Sequence, residues 1–339
     1  MESISYANFI DKISDIDVDD SEIAKYLTGD SANGTPFGPS LIPDPKKVVP
    51  TNELEGLQVQ AAVAGSLVNH YARIRRQKIF DSRLDETDVP ALYAEGDSWL
   101  QFPFLLKDIV DQLSPDYRIW CTSKAGDTLK DMVFQKPEYL KELHRLYSDK
   151  KVRVKAFLFS GAGNDIVGKG SDGDPALKKM VKPYDSSKSI EWHIETEAGI
   201  DVFADIEKAY RKVLSDIDKE FPESKYPDLK VILHGYDHVP TRSVPSGDSK
   251  RPKYARNWTG EPLTELGFPD NETASKVVAG LIKRLNELTA RVCGAYSRAY
   301  HVDLQGTVPV DQWNDELHPT NSGYKKAAAK IKQFIEKNP

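Results

Sequence analysis

The 339-residue chain is poor in cysteine. Cys121 and Cys293 are its only two, and one pair cannot form the disulfide framework of a small secreted domain. It also lacks long apolar runs. None approaches the roughly 20 residues that span a bilayer, so no transmembrane helix is predicted. Nor is there an excess of positive charge: 46 basic residues stand against 52 acidic ones, a net charge of −6. Neutralising phosphates takes clustered Lys and Arg, so nucleic acid is excluded as the main partner. The first twenty residues, MESISYANFIDKISDIDVDD, hold six acids and one lysine. They lack the basic start and unbroken apolar stretch of a secretory leader, which makes the cytoplasm the expected compartment. Repeats and low-complexity tracts are absent.

What is present is ordinary for a globular chain: 39% hydrophobic and 29% charged residues, over a length that can bury a sizeable core. Residues 1–88 read as a helical N-terminal extension and linker. Phe9, Ile10, Ile13 and Ile16 recur at helical spacing, and Asp20 or Ser21 can cap a second short helix carrying Ile23, Tyr26 and Leu27. Residues 29–50 hold three glycines and five prolines at 36, 39, 43, 45 and 50, the composition of a linker or an extended arm. A longer helix is predicted from about 52 to 80, with Leu57, Val63, Leu67, Tyr71 and Ile74 on one face. Its basic end, RIRRQK, admits a docking role but equally a solvated face.

Beyond Pro90 the rhythm changes. Short apolar runs at 91–95, 118–122, 154–160, 229–235 and 299–304 alternate with helical patterns at 102–113, 201–219, 275–297 and 320–336. That alternation predicts an α/β domain over 89–339, a parallel sheet with helices on both faces. Ligands of such sheets bind at the carboxyl ends of the strands, so the residues that follow each strand are the candidates.

Gly-Asp-Ser occurs three times, with Ser31, Ser98 and Ser249. Turns use the same residues, so the tripeptide alone decides nothing. Ser31 lies in the Gly/Pro-rich arm and Ser249 in a polar loop, whereas Ser98 follows a strand and precedes a helix. Gly126 follows the second strand, Asn164 the third, and Asp315 with His318 the fifth. A serine hydroxyl is a weak nucleophile until an imidazole takes its proton. A carboxylate on the other ring nitrogen fixes the tautomer. The Ser98 and Gly126 N–H groups and the Asn164 amide are candidate donors to an oxyanion. Acyl transfer is the chemistry these parts serve.

The alternatives are weaker. Asp97 and Asp165 fit turn chemistry better than an acid/base pair. His234 and His238 follow a strand, where their spacing does not make a helical metal site, so neither metal nor cofactor is predicted. His70, His144, His193 and His301 read as structural. Trp99, Tyr236 and His238 are candidates to line a substrate pocket, with Trp258 and Trp313 as packing residues.

Gly96-Asp97-Ser98, Gly126 in AGDT, Asn164 in GND and Asp315-x-x-His318-Pro319 occur in the order of the blocks of the SGNH hydrolases, the GDSL esterase/lipase family. The chain resembles that family from 91 onward. The resemblance implies a flavodoxin-like three-layer α/β/α sandwich with five parallel strands in the order 2-1-3-4-5. It places the nucleophile on Ser98, the acid and base on Asp315 and His318, and the oxyanion hole on Ser98, Gly126 and Asn164. Two positions depart from it: Trp99 stands where Leu or Ile is usual, and Ala162 where the third block usually has glycine. Cleavage of carboxylic esters with short to medium acyl chains is the activity implied, on a small-molecule or lipid ester. Carbohydrate O-deacetylation or thioester hydrolysis is the runner-up. An interaction module docking a partner through residues 1–88 is the alternative from another class. Segments 168–227 and 240–274 lie outside the resemblance and are candidates for a lid.

Overall fold

The computed structural model describes residues 3–29, 41–52, 67–169, 173–242 and 258–337. Ser31, Ser249 and the predicted helix before residue 67 lie outside them. The sheet has five strands: β1 (Ala91–Glu95), β2 (Arg118–Cys121), β3 (Val154–Phe159), β4 (Lys230–His234) and β5 (Ala299–Val302). All pair in parallel, in the order β2-β1-β3-β4-β5. This is the predicted order. Every residue of β1 and β2 is buried, as a sheet covered on both faces requires. Strand order reverses beside β1, and the resulting crevice at its carboxyl end is where such sheets bind ligands.

Six helices matter for the site: α1 (Tyr6–Ser14), α2 (Leu67–Ser82), α3 (Ile109–Leu113), α4 (Gly163–Val167), α5 (Glu197–Glu220) and α6 (Asn271–Cys293). A seventh, α7 (Asn321–Lys337), closes the domain against α3. α5 buries Phe203, Ile206, Tyr210, Val213 and Ile217, one stripe of an amphipathic helix, against the sheet core. The described parts of the two candidate lid segments join the same core through Leu177, Met180, Ile194, Leu263 and Phe268. They are packed layers of the domain.

Three expectations change. The predicted helix over 102–113 shortens to α3, because Pro103 disfavours helical geometry at Phe102. Asp108 caps the new start, accepting from Val110 and Asp111 N–H. The arm reading of 29–50 also gives way in the described part. Leu41–Pro43 pairs antiparallel with Leu27–Gly29, and Val48–Val49 pairs with Ile4–Ser5. Tyr6, Phe9, Ile13, Ile23, Leu27, Leu41 and Val48 form a second core with Val68, Ala72 and Phe104. Finally, α2 buries Val68, Ala72, Arg75 and Phe80, so its inward face is turned by about one residue from the predicted one. The basic end of α2 faces inward. Arg75 donates to the Asp15 and Val18 carbonyls, and Arg76 to the Leu100 carbonyl at 2.6 Å. A buried guanidinium is tolerable when its donors are matched in this way.

Candidate active site

β1 delivers Ser98 through a turn only glycine allows. A Cβ on Gly96 would lie 2.6 Å from the Ser160 carbonyl oxygen. Leu100 and Gln101 N–H groups donate back to the Asp97 carbonyl, closing the turn. Ser98 Oγ then lies 2.8 Å from His318 Nε2. His318 Nδ1 lies 2.9 Å from both carboxylate oxygens of Asp315.

The short separation of Asp315 and His318 is held locally. Asp315 Oδ1 accepts from the N–H groups of Leu317 and His318, each at 2.8 Å. The loop thus folds over its own carboxylate and holds the two side chains against each other. The Trp99 indole N–H donates to the Leu317 carbonyl at 3.1 Å, tying this loop to the residue after Ser98. Phe102 and Trp258 stand edge-on to the His318 ring at 4.7 and 6.1 Å. Ser98, Asp315 and His318 are all buried.

The candidate oxyanion donors follow β2 and β3. Gly126 has φ +96°, a conformation that favours glycine, in the loop after β2. Ala162 has φ +87° and opens α4, doing with a methyl-bearing residue what glycine does more easily. Asn164 follows in the first turn of α4, and its Nδ2 donates to the Asp127 carbonyl at 2.8 Å, which orients the amide. Asp97 links the turn of Ser98 to the start of α4. It accepts from Trp99 N–H at 3.0 Å and from the Tyr236 hydroxyl, which itself accepts from Gly163 N–H at 3.1 Å. Burial pushes the Asp97 carboxyl up to about 6, against these hydrogen bonds.

The residues proposed to line a substrate pocket divide. Trp99 and Tyr236 are buried and spend their polar atoms inside the protein, their rings in edge-to-face contact at 5.3 Å. Together they hold the turn that carries Ser98 and the loop that carries His318. His238 is exposed and bonded through Nε2 to Gln305 at 3.1 Å. His234 is buried and held through Nδ1 against the Gly235 carbonyl, with burial lowering its pKa to about 4. Among the described residues no three His, Cys, Asp or Glu side chains gather as metal ligands. Asp165 accepts from Leu129 N–H, 36 residues away, at 3.0 Å, so it ties α4 to the loop after β2 where Asp97 bonds its own turn.

Two participants have no signal in one sequence. Glu316 is buried between Asp315 and His318 and accepts from Arg242 and Gly260 N–H and from both donors of Thr259, at 2.7–3.1 Å. It anchors the loop that bears the imidazole, and burial raises its pKa to about 7. Glu95, at the end of β1, accepts from the Tyr93 hydroxyl at 2.5 Å, and burial raises its pKa to about 8. A tertiary partner distinguishes Glu316 from a surface acid, and burial at the end of β1 distinguishes Glu95.

No family model matches the chain, and no curated protein matches it. Solved structures do. An extracellular lipase from Streptomyces rimosus is 13% identical at a TM-score of 0.40, covering 72% of this chain and 99% of its own. A phospholipase A1 from Streptomyces albidoflavus gives the same identity, score and coverages. An acetyl-xylooligosaccharide esterase from Geobacillus is 13% identical at 0.35, covering 73% of this chain and 94% of its own.

Proposed function

We propose that the chain is a serine hydrolase of the SGNH type that cleaves carboxylic esters through an acyl-enzyme. The observation that carries the reading is the continuous line Ser98 Oγ to His318 Nε2 to Asp315, at 2.8 and 2.9 Å. Nucleophile, base and orienting carboxylate stand within hydrogen-bond reach, the geometry that activated serines need.

The reaction follows from these positions. Ser98 Oγ attacks the ester carbonyl while His318 Nε2 takes its proton. Asp315 holds Nδ1–H and stabilises the imidazolium. Negative charge on the tetrahedral oxygen is met by the Ser98 and Gly126 N–H groups and the Asn164 amide. His318 next gives its proton to the leaving alcohol, and the acyl group stays on Ser98. Water, deprotonated by His318, attacks the acyl carbon, and the serine leaves with its proton restored.

A panel of p-nitrophenyl esters of increasing chain length tests this. Turnover should be greatest on the short and medium acyl chains. Ser98→Ala should lower kcat by roughly 10⁶, the scale of losing the nucleophile in a serine hydrolase. Flat inactivity on the panel and on acetylated sugars would favour the interaction-module reading.

A further inference from the structure

The loop after β2 carries Gly126, a candidate oxyanion donor, and it is held from the N-terminal extension. Asn69, in the first turn of α2, meets this loop with its side-chain amide. Its Nδ2 donates to the Ala125 carbonyl at 3.2 Å, and its Oδ1 accepts from Ala125 N–H at 3.3 Å. Two bonds of opposite sense fix which end of the amide is nitrogen. Resting on the esterase reading, we infer that Asn69 is a positioning residue for the reaction. It aims the Gly126 N–H at the oxyanion through the peptide unit that joins Ala125 to Gly126.

The Ala125 carbonyl and the Gly126 N–H are the two ends of one peptide unit. That unit is planar and trans, so its N–H points opposite to its carbonyl. Holding the carbonyl on Asn69 therefore directs the N–H to the side away from Asn69. A bond donated to the carbonyl also polarises the unit and makes its N–H a stronger donor. Gly126 lies in a turn, outside any helix or strand, so no regular ladder holds the unit in place. Its N–H meets no acceptor among the described residues.

The same residue reaches the turn of Ser98. Gln101 Nε2 donates to the Asn69 carbonyl at 3.1 Å, and Gln101 N–H closes the Ser98 turn on the Asp97 carbonyl at 3.0 Å. Lys124 N–H donates to the Gly96 carbonyl at 2.9 Å, which sets the Gly126 loop beside that turn. Asn164 is oriented by the Asp127 carbonyl of this loop. A loop displaced by loss of Asn69 would thus misdirect two candidate donors. Asn69 lies before residue 91, outside the part of the chain that resembles the hydrolase family.

Asn69→Ala in the full chain tests this, and Asn69→Leu, of similar shape but without an amide, serves where the alanine variant fails to fold. On p-nitrophenyl acetate kcat should fall by roughly 10–100-fold, short of the 10²–10³ typical of losing an oxyanion donor outright. KM should change by less than about twofold, because the affected bond forms only in the transition state. Phenylboronic acid, which forms a tetrahedral anion on an activated serine, should lose affinity by about the same factor as kcat. A residue that merely ties loop to helix would lower the thermal midpoint with no selective loss of kcat and boronate affinity. That pattern, an unchanged kcat, or a raised KM alone would overturn the inference and leave the esterase reading standing. Inactivity of the unaltered chain on every ester of the panel would overturn both.

Discussion

Phe102 stands edge-on to the His318 imidazole, 4.7 Å between ring centroids, and is itself held by a buried ion pair. Its N–H donates to Asp108 Oδ2 at 2.6 Å, and the same oxygen meets Arg76 of α2 at 2.6 Å. The imidazole proposed as general base therefore leans on a loop that is tied to α2, a helix of the N-terminal extension.

Removing Arg76 should be costly. Asp108 is wholly buried, and its carboxylate would lose its counter-charge. Breaking one partner of a buried pair typically costs about 3–5 kcal/mol. Arg76→Ala is expected to lose about that much in urea unfolding. Arg76→Lys keeps the charge but not the fork that reaches the Leu100 carbonyl, and should lose less. A change within 1 kcal/mol for the alanine variant, taken roughly from surface substitutions, would mean the pair is incidental.

The extension carries weight as well. Deleting residues 1–50 would uncover Val68, Ala72 and Phe104, the far side of the second core. Exposing a buried Val or Phe costs roughly 1.5–3 kcal/mol each, a large share of the 5–15 that holds a typical domain. Phe104 sits at φ +61° in the same loop as Phe102, so loosening it should also disturb His318. The truncated chain is expected to unfold at lower temperature and to lose more in kcat than in KM on a small ester. An unchanged midpoint and kcat would return these residues to the status of a dispensable arm.

Local signals carry the part of the fold and site that is legible in the sequence. Strand-ending turns and their order along the chain pointed to Ser98, Gly126, Asn164, Asp315 and His318, and the alternation after Pro90 predicted the parallel sheet. What escaped depends on distant partners. Nothing near Arg75 and Arg76 shows that they turn inward, because their acceptors are carbonyls 24 to 60 residues away. Trp99 and Tyr236 read as pocket aromatics because burial is invisible in composition, and their polar atoms find partners 218 and 139 residues away in sequence. Glu316 reads as an ordinary acid for the same reason, and Glu95 does because burial of the strand end is invisible even though its partner Tyr93 is two residues away.

Removal of one oxyanion donor offers a kinetic check. Asn164→Ala should lower kcat by roughly 10²–10³ with little change in KM, since the charge it meets exists only in the transition state. Steady-state kinetics on p-nitrophenyl acetate would show it. A raised KM with kcat intact would make Asn164 a substrate-binding group.

Stability should fall as the solution turns alkaline. Burial raises Glu95 to about 8, Glu316 to about 7, and Asp97 and Asp165 to about 6, from usual values of 4.5 and 3.8. Between those limits the folded chain binds more protons than the unfolded one, so the stability these groups contribute is lost as pH rises through the folded values. Thermal unfolding at constant salt should give a higher midpoint at pH 5 than at pH 8. Glu95→Gln, which cannot ionise, should lessen the drop. A midpoint that climbs from pH 5 to pH 8 would contradict the account.

The most direct test of the central claim is labelling with an organophosphonate, read by peptide mass spectrometry. Such a probe reacts with a serine whose proton has a base to go to and whose developing oxyanion is stabilised. Stoichiometric labelling at Ser98 alone is predicted, with none at Ser31 or Ser249. His318→Ala should label far more slowly, and Asp315→Asn should also be slow because the wrong imidazole tautomer would face the serine. Labelling at Ser31 or Ser249, or undiminished labelling of Ser98 without His318, would contradict the assignment.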